Sequence, residues 1–178
     1  MNHNLRRYFF PLVLAWCGSA VHADDGWKLL FATDAHGLSE SDQLAIYRSL
    51  GLTRSADGKK LLVMGGEDAG PARFAVQRED INADGRIEVF VIGGNTFLSG
   101  ETGSSIWLFT RPAPDGDWQV NLGIPATSYS LLARSDSAYP DLRLSGAGAC
   151  DVVWRWEGMA YEYHEEIATG PGGCDLAP

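Results

Sequence analysis

A mainly β, antiparallel single domain with one helix near its N-terminus is the fold the sequence predicts, and three observations carry it. About nine short apolar runs are separated by clusters of Gly, Asp, Asn, Ser and Pro, the punctuation of strands joined by turns. One segment alone repeats its apolar residues at helical spacing. The chain has 178 residues, 45% of them hydrophobic and 21% charged, which suffices for one core and is too short for two ordinary domains.

The N-terminus reads as an address. Arg6 and Arg7 precede an apolar run over 8–16, and Val21-His22-Ala23 supplies small residues at the positions a signal peptidase reads. Residues 1–23 are therefore expected to be a signal peptide cut after Ala23, leaving a β-rich domain over 24–178. The run is too short for a membrane span, which needs about 20 apolar residues. Lipoprotein processing at Cys17 is disfavoured by the bulky Trp16 before it.

The helix is expected just after His36. Ser39 can cap it, Asp42 stands three residues on in a relaxed capping box, Leu44, Tyr47 and Leu50 recur at helical spacing, and Gly51 supplies the stop. Strands are expected over 60–64, 73–78, 87–92, 105–110, 118–122, 129–132, 142–144, 152–156 and 159–163. The last two read as a hairpin turning at Glu157-Gly158, with Trp156 opposite Met159, Trp154 opposite Tyr161 and Val152 opposite Tyr163. That aromatic face reads first as core, and alternatively as a sugar-stacking platform of Trp154 and Trp156.

Cleavage leaves Cys150 and Cys174, an even count in an oxidising compartment, and one disulfide between them is expected. It would close a loop of about 25 residues and add roughly 3 kcal/mol on a chain-entropy estimate. Reduced thiols or a two-cysteine metal site are the alternatives; the mature chain has only His36 and His164 to complete the latter.

The segment most suited to chemistry is Asp80-Ile81-Asn82-Ala83-Asp84-Gly85-Arg86-Ile87-Glu88. Side-chain oxygens fall at its first, third, fifth and ninth positions, glycine at the sixth and a backbone carbonyl, that of Arg86, at the seventh. Calcium takes six to eight such oxygens at about 2.3–2.6 Å. An EF-hand also needs a bidentate Glu at position 12, where this chain has Val91, and the following run reads as strand. The loop resembles the loop-then-strand motifs of FG-GAP and VCBS-repeat proteins. That resemblance implies Asp80, Asn82, Asp84 and Glu88 as side-chain ligands of a weakly held Ca2+, with Arg86 giving its carbonyl. A polar β-turn uses the same residue types and is the alternative.

The wider chain resembles a group of small exported proteobacterial proteins of poorly defined role. The likeness runs through the 38–51 helix, D-x-N-x-D-G-x-x-E-V-F-V at 80–91, the Gly/Ser-rich loop before S-x-W-L-F at 105–109, P-D-L at 140–142 and W-R-W-x-G-x-x-Y at 154–161. It implies no reaction.

Function is bounded more by exclusion. Twenty-three Asp and Glu against fourteen Lys and Arg give a formal charge of −9, which repels nucleic acid and anionic lipid. Losing the leader removes Arg6 and Arg7 and no acid, deepening the charge to −11. No nucleophile elbow, zinc-protease motif or P-loop is present. His36 beside Asp34, and His164 beside Glu165 and Glu166, are the candidates for a general base, and the chain is expected not to be an enzyme. The loop Ser99-Gly100-Glu101-Thr102-Gly103-Ser104-Ser105 is either a plain hairpin connection or a polar plug for a partner's cleft. The resulting expectation is a periplasmic or secreted non-catalytic binding protein, an inhibitor or immunity-type protein against a basic cell-wall hydrolase or toxin, steered by charge. A calcium-stabilised glycan or peptidoglycan module is the alternative, and a hydrolase the third reading.

Overall fold

The computed structural model describes residues 25–174; the expected leader, its cut after Ala23 and Cys17 lie outside the described residues. Two helices, α1 (Trp27–Leu30) and α2 (Glu40–Ser49), precede the strands. The capping box of α2 forms as its sequence requires: the Asp42 N–H donates to Ser39 Oγ at 3.1 Å and the Ser39 N–H donates to Asp42 Oδ2 at 3.2 Å. Ile46 and Tyr47 carry its buried face, with Leu44 and Leu50 packed at the margin.

Ten antiparallel strands follow in two meanders. The first sheet runs in order through β1 (Thr53–Arg54), β2 (Leu61–Leu62), β3 (Pro71–Glu79), β4 (Glu88–Gly94), β5 (Ser105–Thr110) and β6 (Gln119–Pro125), with a short helix α3 (Thr96–Ser99) between β4 and β5. The second contains β7 (Ser128–Leu132), β8 (Asp141–Ser145), β9 (Cys150–Trp156) and β10 (Tyr161–Ala168). Ala126 and Thr127 carry the chain from one sheet to the other. The Ala126 N–H donates to Ser104 O at 3.1 Å and the Thr127 N–H to Ser145 O at 2.7 Å, so the crossing is tied to both.

At its centre the first sheet is buried on both faces, which is why β4 and β5 read as continuous apolar runs, whereas β3 alternates exposed residues with buried or partly buried ones. Val89, Val91 and Phe109 face the helices, while Phe90, Ile106 and Leu108 face the second sheet and meet Leu122, Leu142, Leu144 and Tyr161. Helices, first sheet and second sheet thus form three layers with a core on each side of the middle one.

The expected nine strands become ten because β1 is only two residues long and carries no apolar signal. Helices α1 and α3 are also additions. The β9–β10 hairpin departs from the expected two-residue turn: residues 157–160 form the connection, the Glu157 N–H donates to Ala160 O at 3.0 Å, and Trp156 pairs with Tyr161 and Trp154 with Tyr163. Tyr161 displaces Met159 from the ladder because its ring is buried and its hydroxyl donates to Pro140 O at 2.9 Å, whereas Met159 is left 86% exposed. A register shift at His164 then sets Val152 opposite Glu166. Trp154 and Trp156 pack, partly buried, on the core between the sheets.

Cys150 and Cys174 stand at disulfide distance, with Cα atoms 5.5 Å apart. Their sulfurs are joined, so the group of Cys150, Glu166 and Cys174 offers no free thiolate to a metal.

Candidate functional site

Four of the five residues expected to hold calcium, Asp80, Asn82, Asp84 and Arg86, lie in the β3–β4 connection, and the fifth, Glu88, opens β4 opposite Glu79. The loop winds around its own side chains. Asp80 accepts from the Asp84 N–H at 3.1 Å through Oδ1 and from the Gly85 N–H at 2.9 Å through Oδ2. Asn82 Oδ1 accepts from the Asp84 N–H at 3.0 Å, and Asp84 Oδ1 accepts from the Arg86 N–H at 2.8 Å. These side-chain turns curl the backbone tightly enough that both Ala83, at φ 58°, and Gly85, at φ 82°, are left-handed. Glycine takes that conformation freely; for alanine it costs about 1–2 kcal/mol, which the bonds on either side must offset.

Glu88 opens β4 with a side chain 1% exposed, directed beneath the loop. Its Oε2 accepts from the Ile81 N–H at 3.0 Å, and the Tyr139 hydroxyl donates to its Oε1 at 3.4 Å. No cationic side chain pairs with it among the described residues. Burial pushes the Glu88 carboxyl up to about 7, and the neighbouring Asp84 and Asp80 carboxylates add to the rise against the pull of the Ile81 N–H. Asp84 is held below the usual carboxylate range in spite of desolvation, by the Arg86 N–H, by Asn82 and by the charge of Arg86, whose guanidinium pairs with Asp84 Oδ2.

Two aspartates, an asparagine and a buried glutamate without a cationic partner among the described residues are the donor types a hard cation takes. Asp80, Asn82, Asp84, Glu88 and the Arg86 carbonyl would hold it, and it would supply the positive charge that Glu88 lacks. Val91, at position 12, is fully buried on the helix side of β4 and contributes no oxygen side chain. The cage is not drawn tight. Among the described residues, only Cys150, Glu166 and Cys174 bring three donor atoms of His, Cys, Asp or Glu within 4.8 Å of one another. Mutual repulsion of the loop acids, and the guanidinium resting on Asp84, account for the looser spacing.

The loop also forms a wall of a cleft of about 500 Å³ at the end of the molecule where the two sheets part. Tyr139, from the β7–β8 connection, stands between loop and cleft: its hydroxyl reaches Glu88, and its ring packs on Trp156 with centroids 4.4 Å apart. Burial and the Glu88 and Asp84 carboxylates push the Tyr139 hydroxyl up to about 12, so it remains a donor at neutral pH. A neighbouring cleft of about 360 Å³ shares Arg86 but is lined by Asp42, Arg111 and Trp118. Arg111 pairs with Asp42 and lies over Trp118, whose Nε1 donates to Asp42 at 3.0 Å, while Arg111 Nε is enclosed without an acceptor.

The expected partner loop is not a slack connection. Asn95 caps α3 by accepting from the Leu98 N–H at 3.1 Å, and a 3-10 turn, Gly100–Thr102, follows. Ser99 and Ser105 are buried with their hydroxyls 2.7 Å apart, so they clamp the loop. Gly100 and Glu101 face solvent, while Thr102, Gly103 and Ser104 are partly covered. His36 and His164 are both exposed. Trp154 lies against the inter-sheet core with its Nε1 enclosed and without an acceptor.

As cleft residues, Tyr139, Gln119 and Asn121 carry no signal in the sequence, and Met159 is expected only as the hairpin residue opposite Trp156. They arrive from three different connections and strands, and no local pattern links them to residue 88; the W-x-G-x-x-Y run marked Trp156 alone.

No family model matches the chain, and neither a curated protein nor a solved structure matches it significantly.

Proposed function

We propose that the chain is a non-catalytic binding protein working outside the cytosol, with the β3–β4 loop as a calcium site that orders the end of the molecule where ligand is met. One observation carries this reading: a glutamate 1% exposed lies beneath a side-chain-wound acidic loop with no cationic side chain paired to it among the described residues. The disulfide-distance pair is compatible with an extracytoplasmic compartment, and no described helix is long and apolar enough to cross a membrane.

The test is thermal unfolding of residues 24–178 with and without calcium. A site of extracellular-module affinity, on the order of 10⁻⁴–10⁻³ M, stabilises the fold by about 1.4–2.7 kcal/mol at 10 mM calcium, a rise of about 3–10 °C for a chain of this size. Asp84→Ala should abolish the rise. An unchanged melting curve of the wild-type chain would reduce the loop to a turn.

A second reading is favoured by the clamped 3-10 turn, which holds Glu101 out to solvent on a rigid base. In it, Glu101 enters the cleft of a basic wall hydrolase. Inhibition of lysozyme-type activity by the purified chain, relieved at least tenfold by Glu101→Lys, would support it. Unimpaired hydrolase activity at a large molar excess of the chain would sink it.

A further inference from the structure

We infer that the cleft between the two sheets is a glycan site, taking an uncharged sugar ring of an N-acetylated oligosaccharide. The inference deepens the binding-protein reading and rests on it, and it does not depend on a cation in the β3–β4 loop. The cleft has a volume of about 500 Å³, inside the roughly 300–1,000 Å³ range of small-ligand sites. Its walls combine two kinds of group. Tyr139 and Trp156, partly buried and packed together, present ring surface, and the adjacent Met159 is 86% exposed at the mouth. Gln119 presents a carboxamide without a protein partner among the described residues, while those of Asn82 and Asn121 also line the wall but donate to Asp84 and Thr110, each keeping a second N–H.

Both kinds are needed to hold a pyranose. One face of a sugar ring is a plane of C–H bonds that packs on an aromatic surface. Its rim is a ring of hydroxyls, each both donor and acceptor, which carboxamides can match because they offer N–H and C=O together. Charge agrees. Without a cation in the loop, the two ionised side chains of the wall, Asp84 and Arg86, are paired with each other, so in that state, which the chelator titration reads, the cleft offers no unbalanced charge to an ionic ligand. An acetamido group adds one more amide to pair with the carboxamides.

Rigidity supports the same assignment. Trp156 is fixed from behind by Arg134, which donates to its carbonyl oxygen at 3.1 Å, and from the side by Tyr161, with ring centroids 5.3 Å apart. An aromatic surface held in place in this way loses little freedom when a ligand is stacked on it. Gln119 is exposed at the start of β6 and makes no side-chain hydrogen bond among the described residues, so its carboxamide is free to meet a ligand.

The experiment is calorimetric titration of residues 24–178 with chitotetraose, in millimolar calcium and again in chelator, with a neutral tetrapeptide as comparison. Saturable binding of chitotetraose, weakened at least fivefold by Gln119→Ala and at least tenfold by Trp156→Ala, supports the assignment. Gln119→Ala changes an exposed side chain and keeps the test valid should Trp156→Ala fail to fold. Absence of binding up to 10 mM sugar, binding unaltered in Gln119→Ala, or binding of the tetrapeptide instead would each overturn it. The calcium-dependent rise in melting temperature is read on the same samples without sugar, so failure of the glycan site and failure of the calcium site give different results.

Discussion

Replacing Asp141 by alanine should lower the unfolding free energy by about 3 kcal/mol, the lower end of the roughly 3–5 kcal/mol range for removing one partner of a buried ion pair. Asp141 opens β8 and is 4% exposed. Arg155 donates to it through Nε at 3.2 Å and Nη2 at 2.8 Å, and Arg134 donates through Nη1 at 3.3 Å. Alanine would leave Arg155 without this carboxylate, whereas Arg134 keeps Asp136, to which its Nε and Nη2 donate at 3.0 and 2.9 Å. The Arg134 and Arg155 side chains are 15% and 30% exposed, so water relieves part of the cost and places the effect at the low end. A loss of about 3 kcal/mol corresponds to about 6–12 °C in melting temperature. The consequence reaches the cleft, because Arg134 also holds the Trp156 carbonyl. A destabilisation under about 1 kcal/mol would mean that solvent already screens the network.

Glu88→Gln should have the opposite sign in the absence of calcium. The carboxyl titrates near 7 in the folded chain against 4.5 for the free group. Its folded-state pKa being the higher one, the associated stabilisation is complete below about 4.5 and lost above about 7. At pH 8 in chelator, the wild-type chain therefore bears the full cost of a buried anion beside Asp80 and Asp84. That cost is on the order of 3 kcal/mol, at about 1.36 kcal/mol per pKa unit. The amide keeps an oxygen for the Ile81 N–H, removes the charge and so should raise the melting temperature in chelator. In millimolar calcium, the same substitution should leave the protein without the calcium-dependent gain. Equal melting temperatures of wild type and variant in chelator would show that Glu88 is neutral in the fold or satisfied by another cation.

How far the sequence carried can be seen in particular residues. The Ser39–Asp42 box and the apolar run of β4 are local signals, and each took its expected form; the 80–88 segment forms a side-chain-wound turn between β3 and β4. Strand β5 was bounded by its own turn residues and falls over the expected 105–110. The hairpin turn was misread because Trp156 can pair with either of two large residues downstream. The choice of Tyr161 over Met159 depends on the Pro140 carbonyl, sixteen residues before Trp156. Asp141 carried no local sign of its two arginines. The contact of Tyr139 with Glu88, on opposite sheets' connections, was equally hidden. A single sequence shows what each turn can do; which turns meet is decided by packing between the sheets.

The most direct measurement is a crystal structure of residues 24–178 grown in millimolar calcium. The expected result is one ion bound by Asp80, Asn82, Asp84, the Arg86 carbonyl and Glu88, with the Arg86 guanidinium withdrawn from Asp84. A loop without an ion, its guanidinium still resting on Asp84, would contradict the account.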